Sequence, residues 1–315
     1  MRNDGQMEEP RVAIVRSYRP ARGYPDAHAV TARPVRLTKP MSVEESFRAT
    51  VLECLAQVSG NAPAIRARDP GGIHQIRVGL RRLQMALNSF GGDAPTLRAL
   101  GKRGRALASA FGPARDLDVL AGELLPRLSK KFPDNESFVA LKLALRHARG
   151  EAWDDALAEI LNPEFGAFLN EVAAVAEALP HRDTRIVKFS RRVLDKLHAQ
   201  TKKRGRRAKA EYDARTHKLR IALKKLRYAA EFFAPLYGRK RAMRYIRTLK
   251  SLLDELGAAN DAHGVGDVLA LLGQADELDF ARGAIAGWYA ARNKRLGRRA
   301  MQSWRRFKRL KPFWA

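Results

Sequence analysis

Two stretches of this chain match one another closely enough to limit what it can become. Residues 74–90 read HQIRVGLRRLQMALNSF, and residues 217–233, 143 positions later, read HKLRIALKKLRYAAEFF. A helix turns about 100° per residue, which sets His74, Arg77 and Arg81 within roughly 60° of one another as a basic stripe. Ile76, Leu80, Leu83 and Leu87 fall on the opposite face. The second copy repeats both faces, with His217, Arg220 and Lys224 on the stripe and Leu219, Leu223, Leu226 and Ala230 behind it. A polar face that only meets water needs neither a fixed charge sign nor a fixed register. Two copies that keep both point to a duplicated site. Arg82 and Lys225 sit at about 80° on the same wheel, at the margin of the stripe.

A second anchor follows the first in the same order. Lys102, Arg105, Leu107 and Phe111 recur 145 positions later as Arg247, Lys250, Leu252 and Leu256. Each set leads into a glycine-started segment, Gly112-Pro113-Ala114-Arg115-Asp116 and Gly257-Ala258-Ala259-Asn260-Asp261, read as a turn in both copies. Two anchors in one order predict an internal repeat, with repeat one over about 41–180 and repeat two over about 181–315.

The charge identifies the class of partner. Sixty Lys and Arg against 33 Asp and Glu leave +27, with a pI near 10.9. Such a chain repels itself unless an anion is at hand, so a polyanion is expected: nucleic acid, an inorganic phosphate polymer or an acidic membrane surface. Residues 202–250 concentrate the excess, with 18 basic residues against Glu211, Asp213 and Glu231. The single cysteine, Cys54, excludes an intrachain disulfide, and its neighbours Leu52 and Leu55 suggest an ordinary buried thiol in a reducing compartment. No signal peptide is evident, and no apolar run reaches the roughly 18 residues of a membrane span, so a cytoplasmic protein with no membrane partner is expected.

Along the chain, residues 1–40 are proline-punctuated and read as an irregular arm, with a possible short strand over residues 11–18. Ser42-Val43-Glu44-Glu45 matches a capping box and opens the first helix, which Pro63 kinks or ends. Further helices are expected over about 95–111, 138–149, around Trp153, 164–179, 187–210, 239–256 and 276–308. Pro126 interrupts one apolar run, and Pro180 closes the first half. No long alternating or β-branched run follows residue 42, which predicts an all-α fold.

Stripes from several helices facing one groove would give a phosphate polymer what it needs: charge in a line and inward donors. Arg supplies a planar fork and Lys a mobile point charge. The expected contacts are His74, Arg77, Arg81, Arg82, His217, Arg220, Lys224, Lys225 and Arg227, with Lys102, Arg105, Arg146, Arg247, Lys250 and Arg295 beside them. His74 and His217 begin their helices, where amides and the dipole favour an anion. Asp116 and Asp261 are matched acids, with Asp118 extra in the first copy and His263 in its place in the second. They are expected to pair with stripe arginines rather than hold a metal, since Asp116 and Asp118 point to different sides of a helix. No zinc-like spacing, P-loop, G-x-G-x-x-G or G-x-S-x-G occurs, so no cofactor and no catalytic apparatus is expected. Aromatic residues are sparse on the stripes, against the stacking platforms of single-strand binders, while duplex binding through phosphates stays open. Trp304, Phe307, Phe313 and Trp314 are read as core.

The paired His-x-x-Arg-x-x-x-Arg/Lys helices, the two glycine-started segments, and the ending Trp304-Arg305-Arg306-Phe307 with Pro312-Phe313-Trp314 resemble the CHAD family, the conserved-histidine α-helical domains, over residues 42–315. The resemblance implies two pseudo-symmetric helical bundles around a basic central channel. It also implies binding of inorganic polyphosphate and association with polyphosphate granules, without enzymatic activity, through His74, Arg77, Arg81, Arg82, His217, Arg220, Lys224 and Lys225. The alternatives are a nucleic-acid-binding architectural protein or a regulatory subunit of a phosphoanhydride enzyme. Residues 34–47 are similar to the join to an N-terminal CYTH triphosphatase domain in fused relatives. No Glu-x-Glu-x-Lys motif precedes residue 42, so that activity is not expected here. Lys224, Lys225 and Asn260 stand where the first copy has Arg81, Arg82 and Arg115, which keeps most of the charge but changes the fork geometry.

Overall fold

The computed structural model describes residues 28–91, 94–179 and 184–315. The possible strand over residues 11–18 and the Pro180 boundary lie outside them. Twelve α-helices are described: α1 Val43–Ser59, α2 Ala62–Arg66, α3 Pro70–Phe90, α4 Pro95–Ala110, α5 Gly112–Val119, α6 Leu125–Ser129, α7 Glu136–Leu161, α8 Pro163–Ala178, α9 Ile186–Gly205, α10 Ala214–Phe233, α11 Arg239–Ala270 and α12 Asp279–Phe307. No strand occurs among the described residues beyond one isolated bridge, Ser42 to Arg185, so the fold is all-α.

Local signals fix most helix starts. Ser42 and Glu45 form the reciprocal capping box, Asp69 caps α3 through the Gly71 amide, and Asp213 caps α10 through the Arg215 and Thr216 amides. Pro126 falls just after a π-helical turn, Leu120–Leu124, so the run it interrupts continues as α6. α7 passes without a break through Trp153.

The two glycine-started segments differ. Gly112 and Pro113 open α5 as a new helix, whereas Gly257 to Asp261 lies inside the 32-residue α11. The turn expected there does not form. Position 258 carries Ala, which donates its amide and favours helix, where the first copy has Pro113, which cannot.

Two hydrophobic cores result. The larger gathers Phe47, Ile76, Leu83, Phe165, Leu223, Phe232, Leu249 and Phe307; the smaller gathers Leu117, Phe138, Leu145, Val265, Ile285 and Tyr289. Each draws on both halves of the chain. The long helices α7, α11 and α12 contribute to both cores and join them. All eight apolar positions assigned to the inner faces of α3 and α10 are buried, as are Cys54 and the C-terminal aromatics Trp304, Phe307, Phe313 and Trp314.

Residues 28–40 are irregular, as expected, but docked. Val35 and Leu37 are buried in the larger core, and the Asn61 side chain accepts from the Val30 amide and donates to its carbonyl, both at 2.8 Å.

Candidate functional site

α3 and α10 turn their polar faces toward one open cleft of about 890 Å³. Its lining includes His74, Arg77, Arg81, His217, Arg220 and Lys224, so the six stripe residues of the two helices meet in one place. The other wall is α5 with Arg115 and Asp116, the π-helical turn, and the second half of α11 with Asn260, Asp261 and His263. The cleft therefore lies where the helices of the two cores face one another.

Six Lys and Arg line it: Arg77, Arg81, Arg115, Lys218, Arg220 and Lys224. Four aspartates share it, Asp116, Asp213, Asp261 and Asp267. Among the described residues none of the six cations forms an ion pair with them. Arg77 instead donates from Nη1 to the Ala108 carbonyl at 2.9 Å. It passes close over Gly112, where any Cβ would lie 3.1 Å from Nη1. The buried Nε of Arg220 has no acceptor.

Burial shifts each of these groups first, and for the cations crowding of like charge adds to it. Burial, then Arg220, Arg81 and Arg227, bring the Lys224 amine down to about 7. Partial desolvation and the guanidiniums of Arg115, Arg77, Arg81 and Arg227 hold His74 down to about 4. Arg77, desolvated beside Arg81, is lowered to about 10 and stays charged at neutral pH. Asp116 and Asp261 keep solvent contact, yet the cleft walls strip enough water to raise both above the usual carboxylate range. Asp116 is raised further by the charge of Asp261, against the pull of Arg77.

The second copy carries a polar network that the first lacks. Tyr212 donates from its hydroxyl to Asn260 Oδ1 at 2.9 Å and lies 3.3 Å from His217 Nδ1, and Asn260 donates to Asp261 at 3.3 Å. Burial raises the Tyr212 hydroxyl to about 12, so it stays a donor. Tyr212, Arg115 and Lys218 were not among the expected contacts. Arg115 lies within the glycine-started motif itself, which was the available signal.

Nine expected contacts do not line the cleft. Arg82 is buried, its guanidinium 5.2 Å over the Phe232 ring and 3.8 Å from Glu231, because its marginal wheel position turns it into the α3–α10 contact. Arg227 pairs with Glu231 at 3.5 Å and lies over Tyr228, although its charge reaches His74 and Lys224. Lys225, on the same margin, is exposed. Lys102 and Arg105 stand on the solvent side of α4, whose inward face is Leu97, Leu100, Gly101 and Gly104. Arg247 and Lys250 are exposed opposite Tyr245, Leu249 and Leu252, and Arg146 and Arg295 are exposed on α7 and α12.

Two other expectations change. His74 is the fifth residue of its helix and His217 the fourth, and aspartate caps already occupy the first free amides. The helix ends are thus not open anion cradles. Asp118 accepts from Arg149 Nε at 2.6 Å and from Trp153 Nε1 at 3.1 Å, so it holds α7 rather than a stripe arginine. Asp116 forms no ion pair among the described residues. No cluster of three or more metal-ligating side chains is present among the described residues. No helix there is long and apolar enough to cross a membrane.

The fold is similar to the crystal structure of the CHAD domain from the plant Ricinus communis, with 29% identity, a TM-score of 0.75, and coverage of 87% of this chain and 96% of that one. It is also similar in fold to PptA from Streptomyces chartreusis, at 16% identity and a TM-score of 0.65, over 84% of this chain and 100% of that one. A search of curated proteins returned no match. The family model for the CHAD domain matches residues 49–270, from the first helix through the end of α11 and across the whole cleft. A match over more than half of the chain, centred on the two stripe helices, makes this protein a member of the CHAD domain family.

Proposed function

We propose that this protein binds inorganic polyphosphate in the cleft between α3 and α10, by binding rather than catalysis, and that it acts in the cytoplasm at polyphosphate granules. The observation that carries this reading is the set of six unpaired Lys and Arg brought into one cleft from three elements. Like charges held together cost stability, and that cost is recovered when a polyanion enters. Arg77, Arg81, Arg115 and Arg220 offer forks for two phosphate oxygens each, Lys218 and Lys224 offer mobile charges, and the hydroxyl of Tyr212 offers a neutral donor. A baseless chain suits the lining. Among the described residues Tyr212 is the one Phe, Tyr or Trp in it, and the stripe residues Met85 and Tyr228 are buried. Single-stranded nucleic acid would find little to stack on.

The experiment is fluorescence anisotropy with labelled polyphosphate on the wild type and the double variant R77E/R220E. Each charge-assisted contact contributes about 1.5–3 kcal/mol, so affinity is expected to fall by on the order of 100-fold or more, with circular dichroism unchanged. Equal reversal at the exposed Lys102 and Arg105 is expected to cost under about tenfold. An equal loss from both pairs would replace the cleft with diffuse surface attraction.

A further inference from the structure

A second pocket lies behind the wall of the cleft. It has a volume of about 650 Å³ and is formed by the C-terminal ends of α9 and α12 with the segment between α9 and α10. That segment has two sides: Tyr212 and Asp213 line the cleft, while Arg206, Ala208 and Ala210 line the pocket. Gly205 makes the junction possible, since a Cβ there would fall 1.8 Å from the Trp304 indole. Five cations surround the space, Lys202, Arg206, Arg305, Lys308 and Arg309, over a floor of Met301 and Trp304, and among the described residues no carboxylate lines it.

The ordinary reading of basic residues here is that they complement two helix C-termini. Each such end carries only about half a negative charge, so two ends offset about one of the five cations. None of the five forms an ion pair among the described residues. The apolar floor excludes water on one side and strengthens attraction for an entering anion. From this convergence we infer that the pocket is a second anion site, separate from the cleft, that takes a short phosphoanhydride chain, either free or as the tail of a nucleotide. The exposed Arg305 on α12 and Lys308 just past its end grip it from one side, and Lys202 and Arg206 on the other.

The test is calorimetric titration of the full chain with sodium tripolyphosphate near physiological salt, repeated with ATP. Wild type is expected to show two binding steps. R305E/K308E is expected to weaken one by at least about tenfold and spare the other, while R77E/R220E does the reverse. Tighter binding of ATP than of tripolyphosphate in R77E/R220E identifies a nucleotide as the source, and the opposite order a free chain. The pocket side chains are exposed and those of Arg77 and Arg220 half-buried, so folding of every variant is checked by circular dichroism. If R305E/K308E does not fold, the neutralised pair K202Q/R309Q serves instead. A single step in wild type, abolished by R77E/R220E and unaffected by either pocket variant, would overturn the second site and leave the cleft intact. Loss of the pocket step alone, with no step sensitive to R77E/R220E, would overturn the cleft and leave the pocket.

Discussion

Lys224 is a cleft cation whose charge changes near neutral pH. Its amine is held at about 7 by burial and by Arg220, Arg81 and Arg227. An anion favours the protonated form, so phosphate affinity is expected to fall as pH rises from about 6 to 8.5, with proton uptake on binding above pH 7. Deprotonation of Asp116 and Asp261 acts in the same direction at lower pH, since both are raised. K224R is expected to flatten the profile above pH 7, and titrations at several pH values check it. For the ligand-free protein the sign is opposite. The unfolded chain binds the Lys224 proton between about 7 and 10.5 and the folded one does not, so this group adds stability with rising pH in that window. Polyphosphate is expected to reduce that slope in melting experiments.

One further side chain, Asp118, separates architecture from binding. D118A leaves the Trp153 indole and Arg149 without their acceptor and is expected to cost about 2–4 kcal/mol in denaturant unfolding, while polyphosphate affinity stays within twofold of wild type, a factor of about 2. The stripe residues were legible in the sequence because charge sign and register recur. Arg82 was not, since a marginal wheel position leaves the packing partner to decide, and Phe232 and Glu231 of α10 draw it inward. Tyr212 was also hidden: its role depends on Asn260, 48 positions away.

At the scale of elements, α3 and α10 were legible from apolar spacing and the start of α1 from the Ser42 capping box, whereas the Asp69 and Asp213 caps of α3 and α10 emerge only in the structure. Repetition misled where its residues differ. Pro113 divides α4 from α5, while Ala258 lets α11 run on for 32 residues, roughly 48 Å, through both cores. A258P is therefore expected to cost about 3 kcal/mol or more and to lower cooperativity of thermal unfolding, whereas P113A is expected to fold. Calorimetry of the two variants checks this, and an A258P protein that melts like wild type would mean that α11 does not couple the cores. Exposed basic positions such as Lys102, Arg105, Arg247 and Lys250 follow the repeat as faithfully as Arg77 does. Only packing shows which of them face solvent, because periodicity gives a helix two faces without saying what lies opposite either one.

For the whole molecule, an excess of +27 makes some attraction to any polyanion inevitable. The central claim is narrower: a cleft built from α3, α5, α10 and α11 selects a baseless phosphate chain over nucleic acid. General charge and a built site differ in how they respond to competitors. General charge responds to phosphate concentration alone, whereas the cleft offers Arg forks at fixed spacing and no stacking platform. The direct measurement is to bind labelled polyphosphate near physiological salt and then add duplex DNA or RNA at equal and then tenfold phosphate concentration, about 10 to 1. Retention of most of the label at both concentrations is the predicted result, and displacement by nucleic acid at equal phosphate would contradict it.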